Sequence, residues 1–254
     1  MNAVMNPTVA ALTRRTLLSR NRTLVLLLLP LALLALCALA RVLAAYDPMV
    51  ARELDRALAP ELLGAFGIAV LMPLLGLIAG TGAIGPEIDE GSIVYLLAKP
   101  INRHTIVLTK LAVAVGVVVA FGVLPVAVAG VVLTGELGTV TVGYAVGALV
   151  AGVAYAAVFL LLAVVTRNAV VVGLLYALVW ESLVGGLVPG AQALSVQQWS
   201  LAVTERMLGD SARRLGLDAA VDLSTGVVLL AVVSVAATVY AGRRLQTLRL
   251  NDET

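Results

Sequence analysis

The sequence is poor in charge and has a single cysteine and a single histidine. Asp, Glu, Lys and Arg make up 13% of its 254 residues, against about 25% in a soluble domain. That shortage points first to an integral membrane protein. The net charge of +2 is too small to call for a nucleic-acid partner. Cys37 stands alone, which excludes a disulfide framework within the chain. His104 also stands alone, which removes the usual metal clusters and argues against a Ser-His-Asp constellation. The phosphate-binding pattern Gly-x-x-x-x-Gly-Lys-Ser/Thr is missing too. "GTGAIGPE" (Gly80–Glu87) is glycine-rich but lacks the lysine.

What the chain has is apolar sequence: 61% of it is hydrophobic and the mean hydropathy is +1.05. A helix needs about 20 apolar residues to cross the hydrocarbon core. Six stretches qualify: 23–45, 62–84, 105–133, 141–165, 169–188 and 224–242. In lipid each segment must satisfy its own backbone amides, so these read as helices despite their valines. The expected fold is an all-α membrane protein with six transmembrane helices. Segment 105–133 exceeds a straight crossing and contains Pro125, so tilt or a kink is expected.

An even number of spans puts both termini on one side. That side holds Arg14, Arg15, Arg20, Arg22, Lys99, Arg103, Lys110, Arg167, Arg243, Arg244 and Arg249, eleven of the seventeen basic residues. The bias places both termini in the cytoplasm of a multi-pass cell-membrane protein. Residues 1–22 then form a cytoplasmic interfacial lead-in, with Val9, Leu12, Thr16 and Leu17 opposing Arg14, Arg15 and Arg20. Residues 23–242 form one six-span domain and 243–254 a cytoplasmic tail. "TRRTLLSR" has the look of a twin-arginine signal, but five further spans favour a first span with flanking positive charge. The loop 46–61 lies outside and reads as surface helix. The outer connection 186–223 includes "GLVPG" and Trp199, and reads as re-entrant or interfacial.

The stretch "GPEIDEGSIVYLLAKPINRHTIVLTK" (Gly85–Lys110) is a charged insert between two apolar runs. Pro86 suits the first turn of a helix, which would set Glu87, Asp89 and Glu90 near its positive end. Ile93, Val94, Leu96 and Leu97 supply an apolar face, Lys99 the basic last turn, and Pro100 the stop. A helix of about three turns is expected, either an ordinary interfacial loop helix or a docking element for a cytosolic partner.

This stretch resembles the loop between spans 2 and 3 in permeases of the ABC type-2 export family. Glu87, Glu90, Gly91, Ser92, Leu96, Leu97, Lys99, Pro100, Arg103 and Lys110 match that pattern position by position. "YALVWESLVGGLVPGAQALSVQQW" (Tyr176–Trp199) resembles the end of span 5 in bacterial members. The resemblance implies a coupling helix seated in a cleft of a separate cytosolic ATP-binding subunit. Glu87, Asp89, Glu90, Gly91, Leu96, Leu97, Lys99, Pro100 and Arg103 would form that interface. It also implies two such subunits, a second permease chain with a homodimer favoured over a heterodimer, and surrounding lipid. ATP and Mg would belong to the partner, and this chain would hold no cofactor or metal.

Glu181 lies within the fifth apolar stretch, between Trp180 and the outer segment. A carboxylate there costs about 2.5–3.5 kcal/mol on insertion scales and faces protein or water. With Trp180 and Tyr176 it lines a translocation path or outer gate, or else it caps the outer segment or pairs with Arg41. Gly76/Gly80 and Gly143/Gly147 have the spacing of close helix contacts. Tyr155, Phe159 and Tyr176 read as helix packing or the wall of a hydrophobic cavity.

The resemblance points to an exporter of a hydrophobic or amphipathic compound, such as a drug, natural product or lipid. A non-transporting membrane anchor or regulatory subunit would keep the same docking helix. An intramembrane enzyme would need a second acid or a histidine near Glu181, and the spans offer neither.

Overall fold

The computed structural model describes residues 5–54, 58–97, 101–184 and 190–247. Most of these residues are helical, with no strand among them. Helix α1 (Pro7–Leu17) leads into α2 (Arg20–Tyr46), followed by the short α3 (Pro48–Glu53). Next come α4 (Glu61–Asp89), α5 (Ile93–Leu97), α6 (Arg103–Thr134) and α7 (Thr139–Val165). Helix α8 runs over Ala169–Leu175 and continues in wider turns over Tyr176–Val184. Helices α9 (Val196–Leu208) and α10 (Asp210–Arg214) precede α11 (Leu223–Thr247).

Five of these helices are long and apolar enough to cross a membrane, and Ala169–Glu181 is a shorter apolar helix. The chain is an all-α, multi-pass membrane protein. The expected loop helix in 46–61 is present as α3, beyond which residues 55–57 lie outside the described residues.

Pro73 and Pro125 each lie inside a long helix and follow turns wound more widely than an α-helix. Ahead of Pro73, Met72 N–H bonds to the Gly67 carbonyl, five residues back. Ahead of Pro125, Leu124 N–H bonds to Val119. The wider winding moves the preceding carbonyls off the pyrrolidine ring, so the helix continues where a regular ladder would break.

Close helix contacts rest on glycine. A Cβ at Gly76 would lie 2.6 Å from Tyr155 Cβ, and one at Gly80 would lie 2.8 Å from the Ala156 carbonyl oxygen. Gly76/Gly80 is therefore the seam between α4 and α7 within one chain. Gly143 and Gly147 do a different job. They give room to Leu208 and Thr204, so that α9 folds back onto α7. Helix α9 buries Val196, Trp199, Ser200, Ala202 and Leu208 against the bundle. Tyr155, Phe159 and Tyr176 pack on one another, with ring centroids 6.1 and 6.0 Å apart along the series.

One end of the bundle gathers both described ends of the chain. Asn6 N–H donates to Thr109 Oγ1 at 3.0 Å, and the His104 ring lies against Gly242. Helix α1 lies there with Val9, Thr13 and Leu17 buried and Arg14 and Arg15 turned outward. Leu12, expected on the apolar face, is 51% exposed. A spacing of four residues sets the buried stripe at 9, 13 and 17, and Leu12 falls off it.

Candidate functional site

The Gly85–Lys110 insert departs from its expected form. Pro86 does not open a helix. It lies inside the last turn of α4, which runs unbroken to Asp89. Glu87, Asp89 and Glu90 consequently sit at the C-terminal, negative end of that helix, with Glu90 as its cap. Proline is tolerated because its missing donor is replaced. The carbonyl four residues back belongs to Gly82, and Arg22 Nη1 donates to it at 3.3 Å. A Cβ on Gly82 would lie 3.0 Å from that same nitrogen, so glycine gives the guanidinium its place.

Gly91 then turns the chain at φ +70°, a left-handed conformation that suits glycine. The helix that follows, α5, has five residues rather than three turns. Ile93 is buried, Leu96 half-buried, and Tyr95 is 79% exposed. Lys99, Pro100 and the side chains of Val94 and Leu97 lie outside the described residues. Arg103 is half-buried in the first turn of α6, which Asn102 caps by accepting from His104 N–H at 3.0 Å.

Lys110 organises this end of the bundle. It is fully buried. Its Nζ donates to Glu87 Oε1 and to the Ala83 carbonyl, each at 2.7 Å, and to Thr13 Oγ1 at 3.4 Å. An ammonium has three donors and no acceptor, so all three are used, on α1 and α4. Thr13 in turn donates to the Val9 carbonyl. The acidic residues thus differ in availability. Glu87 Oε1 faces Lys110, and its Oε2 is buried without a partner. Asp89 and Glu90 are exposed. The position of Lys110 inside an apolar run was the available sign of this role, since a charge at membrane depth demands a partner.

At the opposite end, Glu181 is buried at 1% exposure. Its carboxylate accepts from Tyr176 Oη at 2.9 Å, Ser195 Oγ at 2.5 Å, Val196 N–H at 3.1 Å and Gln197 N–H at 3.3 Å. Two of these are free amides of the first turn of α9, so the carboxylate caps that helix and meets its positive end. Residues five apart such as Tyr176 and Glu181 come closer to one face in the wide turns of α8 than in an α-helix. Arg41 is elsewhere, donating to the Leu133 carbonyl at 3.4 Å. Trp180 is half-buried, with its indole N–H 3.5 Å from the Leu194 carbonyl. Sequence reasoning missed Ser195, although "SVQQ" carries the Ser-x-x-Gln pattern of a capping box. Ser195 Oγ accepts from Gln198 N–H at 3.4 Å while donating to Glu181.

An all-α membrane bundle with a docked N-terminal helix, a turned-out acidic loop and a capped α9 is the setting for a comparison with known families. The sequence model of the family described as "ABC-2 family transporter protein" matches residues 10–241. The chain belongs to that family and is an ABC transporter permease. No curated protein matches it.

Proposed function

We propose that this chain is the membrane-spanning subunit of an ATP-driven exporter, powered by a separate cytosolic ATP-binding subunit. Two permease chains, as a homodimer, would pair with two ATP-binding subunits that hold the ATP and Mg. The observation that carries this reading is the exposed acidic turn. Asp89, Glu90 and Tyr95 stand out from the bundle, on a loop whose base is tied to α1 and α6 by the Lys110–Glu87 pair. A surface on a rigid base passes a push from a partner into the spans, whereas one on a loose loop would absorb it. On this reading residues 1–22 are a cytoplasmic lead-in, 23–242 the permease domain and 243–254 a cytoplasmic tail, with both termini inside the cell.

The walls support this cargo class. The spans offer apolar side chains and few charges, which suits a hydrophobic or amphipathic compound moved outward. Leu174, Leu175 and Leu178 on α8 are exposed in the single chain and suit contact with lipid or the second permease.

The test is a pull-down of tagged chain from mild detergent, with mass spectrometry and an ATPase assay on what accompanies it. The expected result is a stoichiometric ATP-binding subunit, lost in the D89K/E90K variant at unchanged permease yield. A permease that purifies without such a companion, or a variant that keeps it in full, would refute the coupling role.

A further inference from the structure

At the end of the bundle holding both described chain ends lies a cavity of about 360 Å³, between the start of α2, the end of α4 and the α7–α8 connection. Its polar lining includes Arg22, Arg167, Asn168 and Asp89, and its apolar wall includes Ile78 and Val171. The volume lies in the range of small-molecule sites. The guanidinium of Arg22 has five N–H donors, one of which goes to the Gly82 carbonyl. Arg167 is exposed and makes no hydrogen bond or ion pair with the described residues. Two arginines against one aspartate leave the lining with an excess of positive charge.

We propose that this cavity binds the headgroup of an anionic membrane phospholipid. Planar guanidinium forks match phosphate oxygens and hold them by charge-assisted bonds. The level is that of a headgroup. Arg22 lies in the first turn of α2, and from Leu24 onward that helix exposes apolar side chains such as Leu24 (61%) and Leu28 (65%). The wall opens toward the same apolar zone through Val170 and Val171, 58% and 60% exposed, which gives an acyl chain a path out of the cavity. An acidic segment of a protein partner would leave that wall unused, so a lipid fits the whole lining better. Asp89 at the rim opposes the bound charge and limits its affinity.

The experiment is native mass spectrometry of the purified full chain, equilibrated in micelles with phosphatidylglycerol or with phosphatidylcholine of the same acyl chains. Preferential retention of phosphatidylglycerol is expected. R22Q and R167Q should each weaken it about tenfold, the loss of one charge-assisted contact, and D89N should strengthen it. R22Q also removes the donor that serves the carbonyl behind Pro86, so R167Q, at an exposed site, is the variant that keeps the test independent of folding. Glycerol phosphate, which has the phosphate without the chains, should leave the lipid bound. Equal retention of the two lipids, an unchanged preference in R167Q, or displacement by glycerol phosphate would each overturn the proposal.

Discussion

Lys110 Nζ lies 2.7 Å from Glu87 Oε1, with the lysine fully buried and the glutamate side chain 24% exposed. This pair joins α6 to the base of the acidic loop. The third donor of the lysine reaches α1 through Thr13. A cation taken out of water is costly, and its partners offset that cost only as a set. Deleting one partner strands the other charge. Lys110→Met should therefore destabilise the chain by about 3 kcal/mol, while the K110M/E87L double variant should recover much of that loss. Thermal unfolding of the purified chain in detergent reads both values. A single variant as stable as the parent would show that the pair carries no structural load.

The cap on α9 makes a separate prediction. Glu181 accepts from two backbone amides and two hydroxyls, so all four groups present donors to it. Glutamine keeps the shape but turns an NH2 group toward at least one of those donors. Glu181→Gln should cost about 1–3 kcal/mol, concentrated in the start of α9. Hydrogen exchange at the Val196 and Gln197 amides should speed up first. Unchanged exchange there, with a uniform change elsewhere, would count against capping as the main role of this carboxylate.

The spans were legible because length and apolarity are local properties of a sequence. The expected 23–45, 105–133 and 141–165 became Arg20–Tyr46, Arg103–Thr134 and Thr139–Val165. Pro86 was misread because proline suits both a first turn and a late turn whose carbonyl finds another donor. The donor, Arg22, is 60 residues away along the chain. The charged insert was likewise visible as residue types, yet not the division of labour within it. Only the fold sets Glu87 against Lys110 and leaves Asp89 and Glu90 outside. That α9 packs on the bundle was readable from Trp199 and its apolar neighbours. Its seat on Gly143 and Gly147 depends on helix facing, which no short window of sequence contains.

Those glycines allow a paired test of packing. A Cβ at Gly76 would meet Tyr155 Cβ at 2.6 Å and its carbonyl carbon at 3.2 Å, with a backbone that cannot swing aside. Gly76→Ala should thus lower stability by about 1–3 kcal/mol through overpacking. At Gly116 in α6 no atom lies within 4 Å of such a Cβ. Gly116→Ala should be neutral or stabilising by up to about 1 kcal/mol, as expected for alanine replacing a mid-helix glycine. If thermal unfolding ranks the two variants in the opposite order, the α4–α7 seam is placed wrongly.

Tyr95 bears on the route between the acidic turn and the spans. It projects from α5 at 79% exposure, beside buried Ile93, which anchors the same short helix. An exposed tyrosine on an anchored turn is a costly place to leave bare, and residues of this kind often dominate protein contacts. If α5 docks the ATP-binding subunit, Tyr95→Ser should leave unfolding of the permease within about 0.5 kcal/mol of the parent. The same change should weaken capture of the ATP-binding subunit by about tenfold. Ile93→Ser should instead lower both stability and capture, because Ile93 is buried. Measured side by side, the two variants separate a contact surface from its support. Parental capture by the Tyr95 variant would move the docking surface away from α5 and onto Asp89 and Glu90 alone.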